Sequence, residues 1–241
     1  MKNLIIACIL LLTAQIATAQ WFGSKTIKGN GNVITKTFNT GDYDSVHVSG
    51  SMDVELVAGA EGAIQVTAES NIMEFLLIEV KGSKLIIRME DNTSTITTKG
   101  IIIKVPVEKI SAASVSGSGE INSRLLIKSA DMELKVSGSG DMYLQVETAR
   151  LKASVTGSGD LEVRGRTENL DASVTGSGDL KAYGLRANNV DASVTGSGDI
   201  GVYCNGGNLK ARVTGSGDIR YKGNASNVDK NVIGSGDITK M

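Results

Sequence analysis

The stretch Ala153–Val163, ASVTGSGDLEV, reads as a strand, a small turn and a second strand. It returns almost unchanged as ASVTGSGDLKA at 172–182 and as ASVTGSGDIGV at 192–202. Gly-Ser-Gly followed by an acid begins at Gly117, Gly138, Gly157, Gly176, Gly196, Gly215 and Gly234, with spacings of 21, 19, 19, 20, 19 and 19 residues. A fixed period of this size marks one structural unit per repeat. Before each turn the apolar residues alternate: Leu151, Ala153, Val155; Leu170, Ala172, Val174; Val190, Ala192, Val194. After the turn alternation resumes, as in Leu161 and Val163, or Ile200, Val202 and Cys204. A period of two belongs to strands with one apolar face.

Two such strands cannot bury that face alone, and a repeat this short leaves no room for a crossover helix of about a dozen residues. Coiling the chain so that each repeat lies on the last answers both problems, because like residues then stack about 4.8 Å apart in parallel ladders. The expected fold is all-β, a parallel β-solenoid with 19-residue coils over residues 111–241. Val136, Val155, Val174, Val194 and Val213 should form one buried column. Gly-Ser-Gly is a corner of the coil, where glycine supplies positive φ or close backbone approach. Asn169, Asn189, Asn208 and Asn227 mark a second corner, where stacked amides can form a ladder.

Residues 20–110 follow looser rules. Val46–Leu56, VHVSGSMDVEL, copies the repeat with Met52 in place of the second glycine and reads as an outlying coil. Ile64–Ala68, Leu77–Val80, Leu85–Met89 and Ile101–Val107 read as ordinary strands, with a hairpin turn at Lys81-Gly-Ser-Lys84. This less regular β region is expected to cap the N-terminal end and to run into the solenoid without a linker. Residues 1–19 read as a cleaved signal peptide: Lys2 is basic, Leu4–Leu12 is apolar and Ala17-Thr18-Ala19 is a small-x-small site. Export to the periplasm, the outer surface or the extracellular space is expected. A lipid anchor at Cys8 is disfavoured because the apolar run continues beyond it.

The composition narrows the function. A net charge of −1 from 25 basic and 26 acidic residues gives no field for nucleic acid. No later segment reaches the ~18 consecutive apolar residues of a membrane-spanning helix. After the leader a single cysteine remains, Cys204, so no internal disulfide can form.

Gly31-Asn-Val-Ile34, Val48–Leu56, Ile78–Leu85 and the run of Ser-Gly-Ser-Gly-Asp turns together resemble the autotransporter-adhesin head GIN domain family of exported bacterial proteins, over nearly the whole mature chain. The resemblance implies a right-handed parallel β-helix and a cell-surface or adhesive role, and brings no catalytic or binding residues with it. The sequence to Met241 shows no translocating barrel, coiled-coil stalk or sorting tail, so transport by itself is not expected.

Candidate chemistry is sparse. An acid follows every corner: Glu120, Asp141, Asp160, Asp179, Asp199, Asp218 and Asp237. Neighbours about 5 Å apart repel by about 0.8 kcal/mol even in water, so something must compensate. Calcium on Asp141, Asp160, Asp179, Asp199 and Asp218 is one answer; backbone N–H groups of each aspartate's own corner are the favoured one, with no cofactor. His47 lies between Val46 and Val48 on the outward side of its strand, and Cys204 points inward as an inert thiol. Two surfaces could meet a glycan or a cell-envelope partner. One is the set of hydroxyl columns, with Thr156, Thr175, Thr195 and Thr214 at its centre; the other is a pair of tyrosines one coil apart, Tyr183 and Tyr203. The favoured reading is a non-enzymatic, adhesin-like binding or scaffold module. A polysaccharide-active β-helix enzyme, a lyase or glycosidase using stacked carboxylates, is the alternative.

Overall fold

The structure, a computed structural model, describes residues 25–241. The proposed signal peptide lies outside the described residues. Strand accounts for 72% of the structure and helix for 2%, with the strands wound into a parallel β-solenoid of about 7 turns.

The repeat explains the winding residue by residue. Val136 pairs in register with Val155, Val155 with Val174, Val174 with Val194 and Val194 with Val213. Each is at most 1% exposed, so the expected column is present. It continues toward the N-terminus through Val115 and Val48. At the corner the chain passes so close to the coil beneath it that an added Cβ on Gly178 would overlap the Gly159 carbonyl oxygen and stand 2.9 Å from Val155 Cγ1. The same corner is stitched by Ser177 and Gly178, whose N–H groups both donate to the Gly157 carbonyl at 2.8 and 3.0 Å.

The second corner is built differently from the expected asparagine ladder. Within the column Asn169, Asn189, Asn208 and Asn227 a single amide–amide rung forms among the described residues, Asn189 Nδ2 to Asn169 Oδ1 at 3.2 Å; the next step is the Asn208 backbone N–H donating to Asn189 Oδ1 at 3.1 Å, and beside the column Asn205 Nδ2 donates to Asn188 Oδ1 at 3.4 Å. The inward row at this corner is Ser129, Thr148, Thr167, Ala187 and Cys204. Thr148 and Thr167 donate their hydroxyls to corner carbonyls, Thr148 to Ala130 and Arg150, both at 2.9 Å. Cys204 occupies the equivalent place. Its thiol is fully buried beside the Asn188 carbonyl at 3.4 Å, and burial pushes its pKa up, as expected for an inert thiol.

The N-terminal end corrects one expectation. The coil of Ser45–Gly50 and Asp53–Ala58 is not outermost. It lies between the coil that begins at Ala112 and the strands Lys84–Met89 and Ile102–Val107, pairing in parallel with both. Antiparallel strands then close the end: Leu76–Lys81 on Lys84–Met89 through the expected hairpin, Ala63–Glu69 on Ile102–Val107, and Val33–Asn39 on Ala63–Glu69. The exception at Met52 follows from this order. The strands beneath it are joined by residues 90–101 rather than by a tight corner, so room remains for a side chain, and Met52 is fully buried there.

At the other end the inward row Leu134, Ala153, Ala172, Ala192, Ala211 terminates in Lys230. Its Nζ donates to the Ile238 carbonyl at 2.8 Å and lies 5.0 Å from the Tyr221 ring centroid. A charge pointing inward on an edge strand opposes pairing with another chain.

Candidate functional site

Two faces of the solenoid carry the predicted residues. On one, Thr156, Thr175, Thr195 and Thr214 align in register and are exposed. Ser154, Ser173 and Ser193 form a half-buried row beside them, which Arg212 ends by pairing with Asp191 at 2.8 Å. The stacking required by the core fixes these hydroxyls in a line.

The other face carries the acids, and their partners differ from expectation. Asp141 Oδ1 accepts the Asp160 backbone N–H at 2.9 Å, and the same bond recurs from Asp179 to Asp160, Asp199 to Asp179, Asp218 to Asp199 and Asp237 to Asp218, at 2.9 to 3.2 Å. The carboxylates of Asp141, Asp160, Asp179, Asp199 and Asp218 thus each bind the amide of the next coil rather than their own corner, whereas Glu120 accepts from Asn122 Nδ2 and Asp237, in the last coil, accepts the Ile238 N–H, both at 2.7 Å. The reason is that the corner amides are already donated to the glycine carbonyl of the preceding coil. Cations supply the rest: Lys181 bridges Asp160 and Asp179 at 2.7 and 3.6 Å, and Arg220 bridges Asp199 and Asp218 at 3.1 and 2.7 Å. The hydrogen bond that Lys181 donates to Asp160 raises the lysine's pKa. Among the described residues no three His, Cys, Asp or Glu side chains are grouped to hold a metal ion.

The two tyrosines are not in register. Extra residues in the strand Leu180–Gly196 shift the pairing between Ala182 and Arg186, so Tyr203 pairs with Arg186 and Tyr183 sits in the bulge. Tyr183 lies instead across Gly201 of the next coil, where an added Cβ would overlap its ring.

His47 is half-buried rather than fully solvent-facing. Its Nδ1 is 2.7 Å from Ser114 Oγ, a contact between residues 67 apart that only coil stacking creates. Burial first, then Lys84 and Lys135, hold the imidazole below its usual range; Glu133 lines the same concavity. The unfolded chain therefore binds the proton more readily, so stability is lost as pH falls from 6.5 through the lower folded value. Thermal melts between about pH 5 and 7 should show wild type losing more on acidification than His47→Gln, and parallel profiles would remove His47 from the account.

A shallow groove of about 790 Å³ runs past the second corner, lined by Asp131, Glu133, Arg150, Lys152, Asp171 and Asp191 among others. Its Arg150 is paired with Asp131 and its Lys152 with Glu133 at 3.9 Å, so the charges there are largely matched.

Stacked coils with flat, in-register polar faces define a parallel β-solenoid. The chain belongs to the family described as "Putative auto-transporter adhesin, head GIN domain", whose model matches residues 42–225. Among solved structures, a "putative adhesin" from Bacteroides fragilis superposes with a TM-score of 0.83 at 21% identity, covering 89% of this chain and 100% of that one. A "putative lipid binding protein" from Parabacteroides distasonis gives 0.74 at 28% identity, over 90% and 100%. A "putative adhesin" from Parabacteroides merdae gives 0.72 at 25%, over 90% and 99%. No curated protein matches the sequence.

Proposed function

We propose that this protein is an exported, non-catalytic binding module that presents its flat faces to glycans at or outside the cell envelope. The observation that carries the reading is the exposed row Thr156, Thr175, Thr195 and Thr214, a rigid line of hydroxyls repeated over four successive coils. Membership of an adhesin-named family and likeness to proteins named adhesins support it. Among the described residues no helix is long and apolar enough to cross a membrane. The leader at residues 1–19 supplies the export step. The acid column serves the fold rather than hydrolysis: the carboxylates from Asp141 to Asp218 are taken up by the next coil's amide, and Lys181 and Arg220 occupy four of them. A glycan array run with a polysaccharide-degradation assay on the mature chain tests this. Binding without product is expected; release of sugar fragments would move the protein to the lyase or glycosidase class.

The same reading needs no calcium. Calcium and EDTA should leave the melting temperature unchanged, while Asp179→Ala should cost about 1 kcal/mol by leaving the Asp199 N–H without its acceptor. A cation site would instead add about 2.7 kcal/mol at a hundredfold excess of calcium over its Kd. A calcium-dependent rise of melting temperature reversed by EDTA would count against the structural role of the column.

A further inference from the structure

The acid-bearing face changes character toward its C-terminal coils. Four of its cations are held by carboxylates: Arg164 by Glu162, Arg166 by Glu147, Lys181 by Asp160 and Asp179, and Arg220 by Asp199 and Asp218. Arg186 and Lys222 are exposed and have no carboxylate within ion-pair distance among the described residues. They stand in one row on either side of Tyr203, since Arg186 pairs with Tyr203 and Tyr203 with Lys222. Successive members of such a row are about 4.8 Å apart.

The tyrosines beside them are laid along the surface. Gly201 leaves the space into which the Tyr183 ring falls, and an added Cβ on Gly223 would stand 3.1 Å from Tyr203 Cε1. Lys222 Nζ is 5.0 Å from the Tyr183 ring centroid. Both rings are half-buried, so they are supported from below and lose little freedom when a ligand stacks on them. Large exposed aliphatic side chains, which a lipid bilayer would require, lie elsewhere, at Val33, Ile34, Leu126, Val232 and Ile233 among others.

We infer that Tyr183, Arg186, Tyr203 and Lys222 form a subsite for an acidic saccharide, a uronic-acid unit of a polysaccharide. The sugar ring stacks on tyrosine, the Arg186 guanidinium grips the carboxylate with paired N–H donors, and Lys222 adds a point charge. This rests on the glycan-binding reading and names the class of sugar.

The test titrates the mature chain with oligomers of galacturonate, glucuronate and mannuronate, with their methyl esters as neutral controls, and with anionic lipid vesicles. At least one uronate should bind at least about tenfold tighter than its ester, a difference of about 1.4 kcal/mol. Its affinity should fall on raising salt from about 50 to 200 mM. Arg186→Gln and Lys222→Gln, both at exposed positions, should each erase most of that preference while the melting temperature stays at the wild-type value. Tyr203→Phe should bind normally and Tyr203→Leu poorly. Equal binding of acid and ester overturns the acidic subsite but leaves glycan binding standing. No binding of any saccharide, in the titrations or on the array, overturns both. Binding to vesicles with no uronate bound would assign the patch to lipid headgroups.

Discussion

Gly178→Ala is expected to cost about 3 kcal/mol or more, the upper end of what overpacking exacts, and to lower the melting temperature by roughly 10 °C in a domain of this size. The added methyl has no direction to move. It meets the Gly159 carbonyl of the coil beneath and Val155 Cγ1, both in the stacked interior. Relief would require opening the spacing between coils, which would break the bonds from Ser177 and Gly178 to the Gly157 carbonyl. Gly41→Ala is the control, because nothing lies within 4 Å of a Cβ there, and a change within about 0.5 kcal/mol is expected. Chemical denaturation of the two variants side by side checks the claim. Equal losses would show that corner glycines are not required by close approach.

Val174→Asp should be more damaging, by several kcal/mol, because it places an unpaired carboxylate in a column that is 1% exposed at that point. Its neighbours in register, Val155 and Val194, are equally dry and offer no donor in exchange. Because each coil is stabilised by contacts with the next, a fault in the middle is expected to disrupt both halves. The same column supplies its own control. Val232, which pairs with Val213 in the last coil, is 40% exposed, and Val232→Asp leaves its carboxylate in water. Circular dichroism should show Val174→Asp unfolded or melting far below wild type, with Val232→Asp close to it. If Val174→Asp melted with the wild type, the inward assignment of the repeat would be wrong.

Both substitutions act on features that are legible in the sequence. The Gly-Ser-Gly corners and the period-two valines identify which residues stack, because in a solenoid the neighbour along the axis is simply the residue one period away. The Thr156 to Thr214 row follows from the same arithmetic. The acids are visible as a column, but their partners are not: a turn aspartate ordinarily bonds its own corner, and here those amides are already taken by the coil below. Likewise the Tyr183 and Tyr203 spacing suggests one platform, whereas the extra residues between Ala182 and Arg186 put the rings in different registers.

By itself the sequence of residues 111–241 determined a parallel solenoid, its Gly-Ser-Gly corners and its buried columns, since strict repetition leaves a single register in which the apolar faces of the inner coils are covered. Tertiary structure alone decided the rest. It placed Ser45–Ala58 between Lys84–Val107 and the coil starting at Ala112, brought His47 to Ser114 across 67 residues, and set Arg186, Tyr203 and Lys222 in one row. In the N-terminal region no period links a residue to its partner. There the pairing of strand edges is chosen by long-range burial and hydrogen bonding, which become defined only when the chain is folded.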